Sequence, residues 1–208
     1  MAHVPESLAP VTLTGEHVRL EPLSLDHSEA LVDAASVDRS TFDLSSIPDG
    51  TAEMHRYIEG LLADQDAGRV LPFAQRRIDT DEVVGCTRYL DLHWWRGRPA
   101  PDEVEIGGTW LGARAQRTAV NTEAKFLLLR YAFEELDVWR VAICTDARNQ
   151  RSRDAILRIG ASLEGVLRNH RVRSDIDGPS PRQTAVYSIV DDEWPDVKRA
   201  LELRLGQR

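Results

Sequence analysis

Two carboxylates, Glu103 and Glu105, sit in the stretch "EVEIGGTWL". Alternation along an extended chain puts both on one face, with Val104 and Ile106 on the other. A carboxylate so placed can take a proton from an amine, directly or through water. On a solvated strand it would be a surface charge and nothing more. Downstream, at Leu111, the strand gives way to "GARAQRTAVNTEAK", a run of small and polar residues that feeds a nearly solid apolar helix. The first turn of a helix has unpaired backbone N–H groups and the positive end of the helix dipole, so small residues there let an anion reach the backbone. A phosphate or pyrophosphate suits such a junction. The alternative is an ordinary strand-to-helix turn, capped by Asn121 or Thr122. Triphosphate and dinucleotide sites are disfavoured, because the chain has no G-x-x-x-x-G-K-[ST] and "GGTWLG" lacks the spacing of G-x-G-x-x-G.

Other reactive side chains carry less. Cys86 and Cys144 lie in apolar strand-like runs and read as small core residues, not as a disulfide or a metal site. No metal is expected. His93 and His170 read as surface or hydrogen-bonded structural histidines rather than bases. The adjacent Trp94 and Trp95 either line a binding mouth or make packing or dimer contacts. Lys125 and Lys198 are the only lysines, so nearly all the positive charge is arginine. Arginine grips phosphate bidentately; a compositional bias explains the same excess, which runs along the whole chain.

The elements that must position these groups follow from periodicity and punctuation. "HVRLEPL" alternates and reads as a strand; a helix capped by Ser24 follows. A second helix follows with Thr51 as candidate cap, a stripe of Met54, Ile58, Leu61 and Leu62, and Gly68 as its stop. Three strands come next, "LPFAQRRI", "VVGCTRYLDL" and "EVEIGGTWL", with a turn over Asp79–Glu82 and the longer loop "HWWRGRPAPD". The apolar helix is expected from about Thr122 to Leu136, with Leu127, Leu128, Tyr131 and Phe133 in the core. Then come the strand "WRVAICTD", a helix closed by Gly160, two strands around the loop "RSDIDGPSPR", and a terminal amphipathic helix. The order is β-α-α-β-β-β-α-β-α-β-β-α. Two strand–helix–strand units in the second half predict parallel pairing there, and consecutive strands earlier predict hairpins, hence a mixed α/β sheet.

A length of 208 residues predicts one domain able to bury a core without staples. A net charge of −8 argues against a nucleic-acid binder and favours a cationic partner such as an amine. The start lacks the pattern of a signal peptide and no apolar run approaches the ~20 residues of a membrane span, so a cytoplasmic protein with no membrane partner is expected.

The ordered motifs resemble the GNAT acetyltransferases, specifically the branch of ribosomal-protein alanine N-acetyltransferases (RimJ/RimL-like). The family's acyl-CoA loop reads Q/R-x-x-G-x-G/A, often continuing T-E-A. Here it reads Gln116-Arg117-Thr118-Ala119-Val120-Asn121, then Thr122-Glu123-Ala124. "YAFEEL", "RVAICTDARNQRS" with Asn149 and Ser152, "RIGASLEGVLR" and "YSIVDDEW" continue the series through most of residues 11–203. Ala119 replaces the central Gly and Asn121 the last Gly/Ala. If position 119 is helical, the Ala is harmless.

The resemblance implies a single acyl-CoA N-acyltransferase domain over residues 1–208, with a mixed, mostly antiparallel central sheet and helices on both faces. It implies acetyl transfer from acetyl-CoA directly to a primary amine, either a protein N-terminus or a small molecule, in a ternary complex. The strand end at Thr109, Trp110 and Leu111 would splay from its neighbour, Gly107 and Gly108 permitting a bulge. Gln116 to Thr122 would hold the pyrophosphate, and Asn149 would contact the pantetheine arm or cap its helix. Glu105 would be the base and Ser152 would stand near the leaving thiolate. Arg117, Arg148, Arg151 and Arg153 are candidates for CoA phosphates. The loops "HWWRGRPAPD" and "RSDIDGPSPR" would border the acceptor mouth. A monomer or homodimer is expected. The competing readings are a CoA-binding module without turnover and a transferase for another short acyl-CoA.

Overall fold

The computed structural model describes residues 7–173 and 178–206. Its centre is one eight-stranded sheet in the order β1-β2-β3-β4-β5-β6-β8-β7. The strands are β1 (Leu13–Thr14), β2 (Val18–Pro22), β3 (Leu71–Arg77), β4 (Val83–His93), β5 (Glu103–Leu111), β6 (Arg140–Asp146), β7 (Ser162–Val172) and β8 (Pro181–Val190). The helices are α1 (Ser28–Ser36), α2 (Thr51–Asp66), α3 (Ala119–Arg130), α4 (Gln150–Arg158) and α5 (Trp194–Gly206). The two-residue β1, too short to show a period, has no counterpart in the pattern read from the sequence.

Helices cover both faces. Residues of α3, α4 and α5 pack with Val104, Ile106, Leu111, Val141, Ile143, Tyr187 and their neighbours in the larger core. Residues of α1 and α2 pack with Ala74, Cys86 and Trp110 in a smaller core on the other face. The predicted core positions Leu127, Leu128 and Phe133 are buried, and Tyr131 packs against them half-buried.

The sheet is antiparallel except at one place. β5 and β6 are parallel, as the crossover through α3 requires, but only Glu103, Val104 and Glu105 pair with Arg140, Val141 and Ala142. A second parallel pair was expected from the crossover through α4 and does not form. β8 returns between β6 and β7, pairing antiparallel with β6 from Arg140↔Val190 to Asp146↔Thr184 and holding β7 on its far side. Beyond Glu105, β5 and β6 part. β5 is bulged there against β4: between the pairs Arg88↔Gly107 and Cys86↔Trp110 the register shifts. Gly108 carries the bulge at φ +56°, where a side chain would be strained, and a Cβ on it would lie 2.4 Å from the Arg88 guanidinium carbon, which would have to move.

Candidate active site

The opening between the parted strands is bounded at its wide end by the starts of α3 and α4. α3 begins at Ala119, earlier than expected. Its cap is Thr118, whose hydroxyl accepts from the Val120 N–H at 3.3 Å and donates to the Ala115 carbonyl at 2.7 Å. Asn121 and Thr122, expected as caps, lie inside the first turn. The turn itself is made by Arg117, at φ +61°, a conformation that costs a side-chain-bearing residue. Ala119 is helical, so its methyl is tolerated. The helix also ends earlier than expected: the chain passes into a π-helical turn over Tyr131–Glu135.

This geometry leaves backbone amides open. The N–H groups of Arg117, Thr118, Ala119 and Asn121 have no hydrogen-bond partner among the described residues. They cluster at the positive end of a helix, a fit for a diphosphate. Arg117 is exposed and makes no ion pair among the described residues. The other arginine candidates are engaged. Arg148 pairs with Asp146 at 2.7 Å. Arg153 donates to the Tyr187 hydroxyl at 3.0 Å and the Ala147 carbonyl at 3.3 Å. Arg151 donates to the Thr41 carbonyl at 2.5 Å and the Gln116 side chain at 3.4 Å. Gln116 in turn donates to the Leu111 carbonyl at 2.8 Å, tying the loop to the end of β5.

Not every side chain named from the sequence faces the opening. Trp110 turns into the α1–α2 core, edge-on to Phe42 with ring centroids 6.0 Å apart, so any contact it makes with a ligand is through its backbone. Leu111 and Val120 belong to the larger core, and Thr122 is buried. Asn149 is the cap of α4, accepting from the Ser152 N–H at 3.0 Å. Ser152 is half-buried in the first turn of α4. Trp94 and Trp95 lie past the closed end of the β5–β6 pair. Trp94 donates to the Pro99 carbonyl at 3.1 Å, and Trp95 stacks on His93 with ring centroids 5.5 Å apart. Buried Asp102 clamps that loop, accepting from the Trp95 and Arg96 amides and from the Arg96 and Arg98 guanidinium groups. Trp95 nonetheless leaves 59% of its surface exposed. Ser174–Asp177 of the loop "RSDIDGPSPR" lie outside the described residues.

Glu105 occupies the last paired position before the strands part, on the face opposite α3, and is 5% exposed. Its carboxylate accepts from Arg171 of β7 at 2.8 and 3.4 Å, and Arg171 also bonds Asp91 of β4 at 2.7 Å. Cys144, read from the sequence as core, instead lies half-buried on β6. Burial first, and the neighbouring Glu105 carboxylate second, push its thiol up to about 12. Glu103, on the same face, pairs with Arg140.

Two charged residues of α3 escaped the sequence reading. The Glu123 carboxylate accepts the amides of Glu16, His17 and Val18 at 2.8, 2.7 and 2.7 Å, fastening the helix to the β1–β2 turn. A Cβ on Gly15 would lie 2.3 Å from the Glu123 carboxyl carbon. Lys125 is buried, its ammonium donating to Thr109 Oγ1 at 2.6 Å. Its only sequence signal is a lone lysine between Ala124 and the apolar run that follows.

Comparison with known proteins agrees with this geometry. Residues 17–162 match the family model described as "Acetyltransferase (GNAT) domain". Over 96 residues the chain is 33% identical to "Putative ribosomal N-acetyltransferase YdaF" of Bacillus subtilis (strain 168), a match spanning 46% of this chain and 50% of that one. The chain thus covers about half the length of this curated relative. Among solved structures, a GCN5-related N-acetyltransferase from Brucella melitensis is 29% identical with a TM-score of 0.82, covering 98% of this chain and 90% of that one. Mycobacterium smegmatis RimJ in complex with CoA-disulfide shares the fold at 19% identity and a TM-score of 0.74, covering 96% and 95% of the two chains. Among the described residues, no helix is long and apolar enough to cross a membrane, and no group of three or more His, Cys, Asp or Glu could hold a metal ion. The sheet that parts after Glu105, the amide-lined start of α3 and these matches lead to one conclusion: the chain belongs to the GNAT acetyltransferase family.

Proposed function

We propose that the protein transfers the acetyl group of acetyl-CoA directly to a primary amine, a protein N-terminus or a small molecule, within one ternary complex. The observation that carries this reading is the opening itself. β5 leaves β6 after three paired residues, and the open end leads to a helix start whose amides are unfilled. The loop from Gln116 to Thr122, with Arg117, would hold the diphosphate. The backbone of Trp110 and Leu111 and the start of α4 at Asn149 would flank the pantetheine arm. Glu105 would take the amine's proton, with Arg171 and Asp91 fixing its carboxylate. Ser152 would stand near the sulfur. A single domain, a cytoplasmic location and a monomer or homodimer fit this reading, as does an acidic chain acting on a cationic acceptor.

Two measurements test it. Acetyl-CoA at ~100 times its dissociation constant should raise stability by ~2.7 kcal/mol, a melting-temperature increase of roughly 5–11 °C for a chain of this size. Free pantetheine should do far less, and NAD and ATP, which offer phosphates without the arm, are the controls. CoA thiol release against a panel of amines and N-terminal peptides then reads turnover, and Glu105→Gln should lower kcat/KM by ~10² with donor affinity little changed. A flat melting response to acetyl-CoA would sink the reading. Binding without thiol release from any amine would leave a CoA-binding module.

A further inference from the structure

The proposed transfer needs two proton movements, and the site described so far supplies one. Glu105 can accept the amine's proton. The departing thiolate needs a donor, and the first turn of α4 offers only Ser152, whose hydroxyl is a weak acid unaided. No Tyr, Cys, His or Lys occurs anywhere in Gln150–Arg158. Cys144 is a poorer acid than the thiol it would serve, since its own thiol is pushed up to about 12. The Tyr89 hydroxyl is buried and committed to the Leu128 carbonyl at 2.5 Å.

Another buried acid lies nearby. Lys125 lies in the second turn of α3, and its Nζ reaches Thr109 Oγ1 at 2.6 Å. Thr109 follows the Gly107–Gly108 bulge, on the stretch of β5 that β6 no longer covers. Thr109 Oγ1 also bonds Thr87 Oγ1 of β4 at 2.8 Å, so the hydroxyl is shared. An ammonium has three donors, and Lys125 has one bond and no ion pair among the described residues. A buried cation with so few partners carries a large desolvation penalty, unusual for a purely structural residue. Glu105 is the charged group whose field is felt at Lys125; Thr109 from β5 and Thr87 from β4 are its neutral neighbours. By alternation, with the bulge counted, Lys125 stands on the α3 face of the opening and Glu105 on the opposite face.

We propose that Lys125 is the proton donor to the departing thiolate, acting from the α3 face of the opening while Glu105 takes the amine's proton from the other. This rests on the acetyl-transfer reading. The acceptor nitrogen bonds to the thioester carbonyl carbon, the carbonyl pair moves to oxygen, and the amine's proton passes to Glu105. When the pair returns, the carbon–sulfur bond breaks and its electrons go to sulfur. The Lys125 Nζ–H proton then neutralises the thiolate. The amide and the free CoA thiol leave, and the proton on Glu105 returns through solvent to Lys125, restoring both groups with no other reactant. The direction is favourable: burial brings the Lys125 ammonium down to about 7, with Glu105 opposing the shift, while an ordinary thiol sits near ~8.5.

The chain's two lysines make the test direct. With lysine labelled at Cε, one of the ε-CH2 signals of the wild-type protein should titrate near neutrality, well below an ordinary lysine. Only that signal should move when CoA is added. Absorbance of the bound CoA thiolate provides a readout independent of turnover. As the bound thiol ionises, the thiolate should draw Lys125 back toward its charged form, so the Lys125 signal should show a further step that follows the thiolate absorbance. Lys125→Met should lose ~10² in kcat, and with it the fall in rate as pH rises through about 7, while CoA affinity stays within a few fold. Two ordinary lysine titrations, a lysine signal indifferent to bound CoA, or thiolate formation with no matching step in the Lys125 signal would each overturn the assignment. The wild-type titration decides even if the variant fails to fold. Failure of CoA to bind at all would instead remove the acetyl-transfer reading, and this proposal with it.

Discussion

The starts of α3 and α4 face the same opening and are built from similar parts, yet they differ in how far their polar groups are satisfied. Each follows a strand end and each is capped by a side chain, Thr118 for α3 and Asn149 for α4. At α4 the space is filled from within. The Asp146 carboxylate accepts the Arg148 amide at 2.9 Å and its guanidinium at 2.7 and 3.0 Å, and the Asp146 carbonyl accepts the Asn149 amide. At α3 no carboxylate among the described residues fills the first turn. Arg117 is held at positive φ, the amides are open, and one turn further a lysine is buried without an ion-pair partner among the described residues. A helix dipole alone therefore does not make a ligand site. What distinguishes α3 is that unfavourable terms have been left there, which other interactions of the fold must offset.

That contrast makes substitutions at α3 and α4 behave oppositely. The largest expected effect is at Lys125. Its folded-state value, about 7, lies below the ordinary 10.5. The unfolded chain therefore binds more protons between those values, and stability should rise with pH across that window. At 1.36 kcal/mol per unit the cost of keeping the charged form buried is on the order of 5 kcal/mol below neutrality. Lys125→Met, similar in volume and uncharged, should raise the melting temperature at pH 6 and flatten the rise toward pH 10. A variant less stable than wild type at pH 6 would break the comparison.

Next is Thr118→Pro, which removes one open amide and the capping hydroxyl and disfavours the conformation of Arg117 before it. The melting-temperature rise of roughly 5–11 °C with acetyl-CoA should disappear. Retention of more than half the rise would mean that the α3 amides are not the anchor. The matched change at α4, Asn149→Ala, should cost ~1 kcal/mol, or ~2–4 °C, yet leave most of the ligand-induced rise; equal loss in both would erase the distinction. The smallest effect is expected from Ala119→Gly. With position 119 helical, the change should lower stability by less than ~1 kcal/mol and alter CoA affinity by no more than a few fold. A large affinity gain would show that the alanine methyl obstructs the ligand.

Much of this arrangement was legible because local chemistry writes it. Alternation located β5 and put Glu105 opposite Val104, the glycine pair marked the bulge, and Asn149 carried a capping signal. The start of α3 was misread because the sequence offers two plausible caps. Asn121 and Thr122, followed by Glu123, imitate a helix start as well as Thr118 does, and the competition is settled by Glu123, whose partners lie 105 to 107 residues away. Cys144 was read as core because the run "VAIC" is apolar throughout. No pattern within β6 reveals that helices leave one face of its outer half uncovered. The insertion of β8 between β6 and β7 is likewise a pairing choice between distant segments. Lys125 was visible as one of two lysines, but only the contact with Thr109 gives it meaning.

The three-residue union of β5 and β6 also bears on association between chains. A sheet normally exposes unpaired backbone at its outer rims, where another protein's strand can add and begin aggregation. Here a further rim lies inside the molecule, along β5 beyond Glu105, with β6 and α4 across from it. On the proposed reading that rim would receive a slender, flexible ligand, so the unfinished ladder would be completed from within rather than by another folded chain.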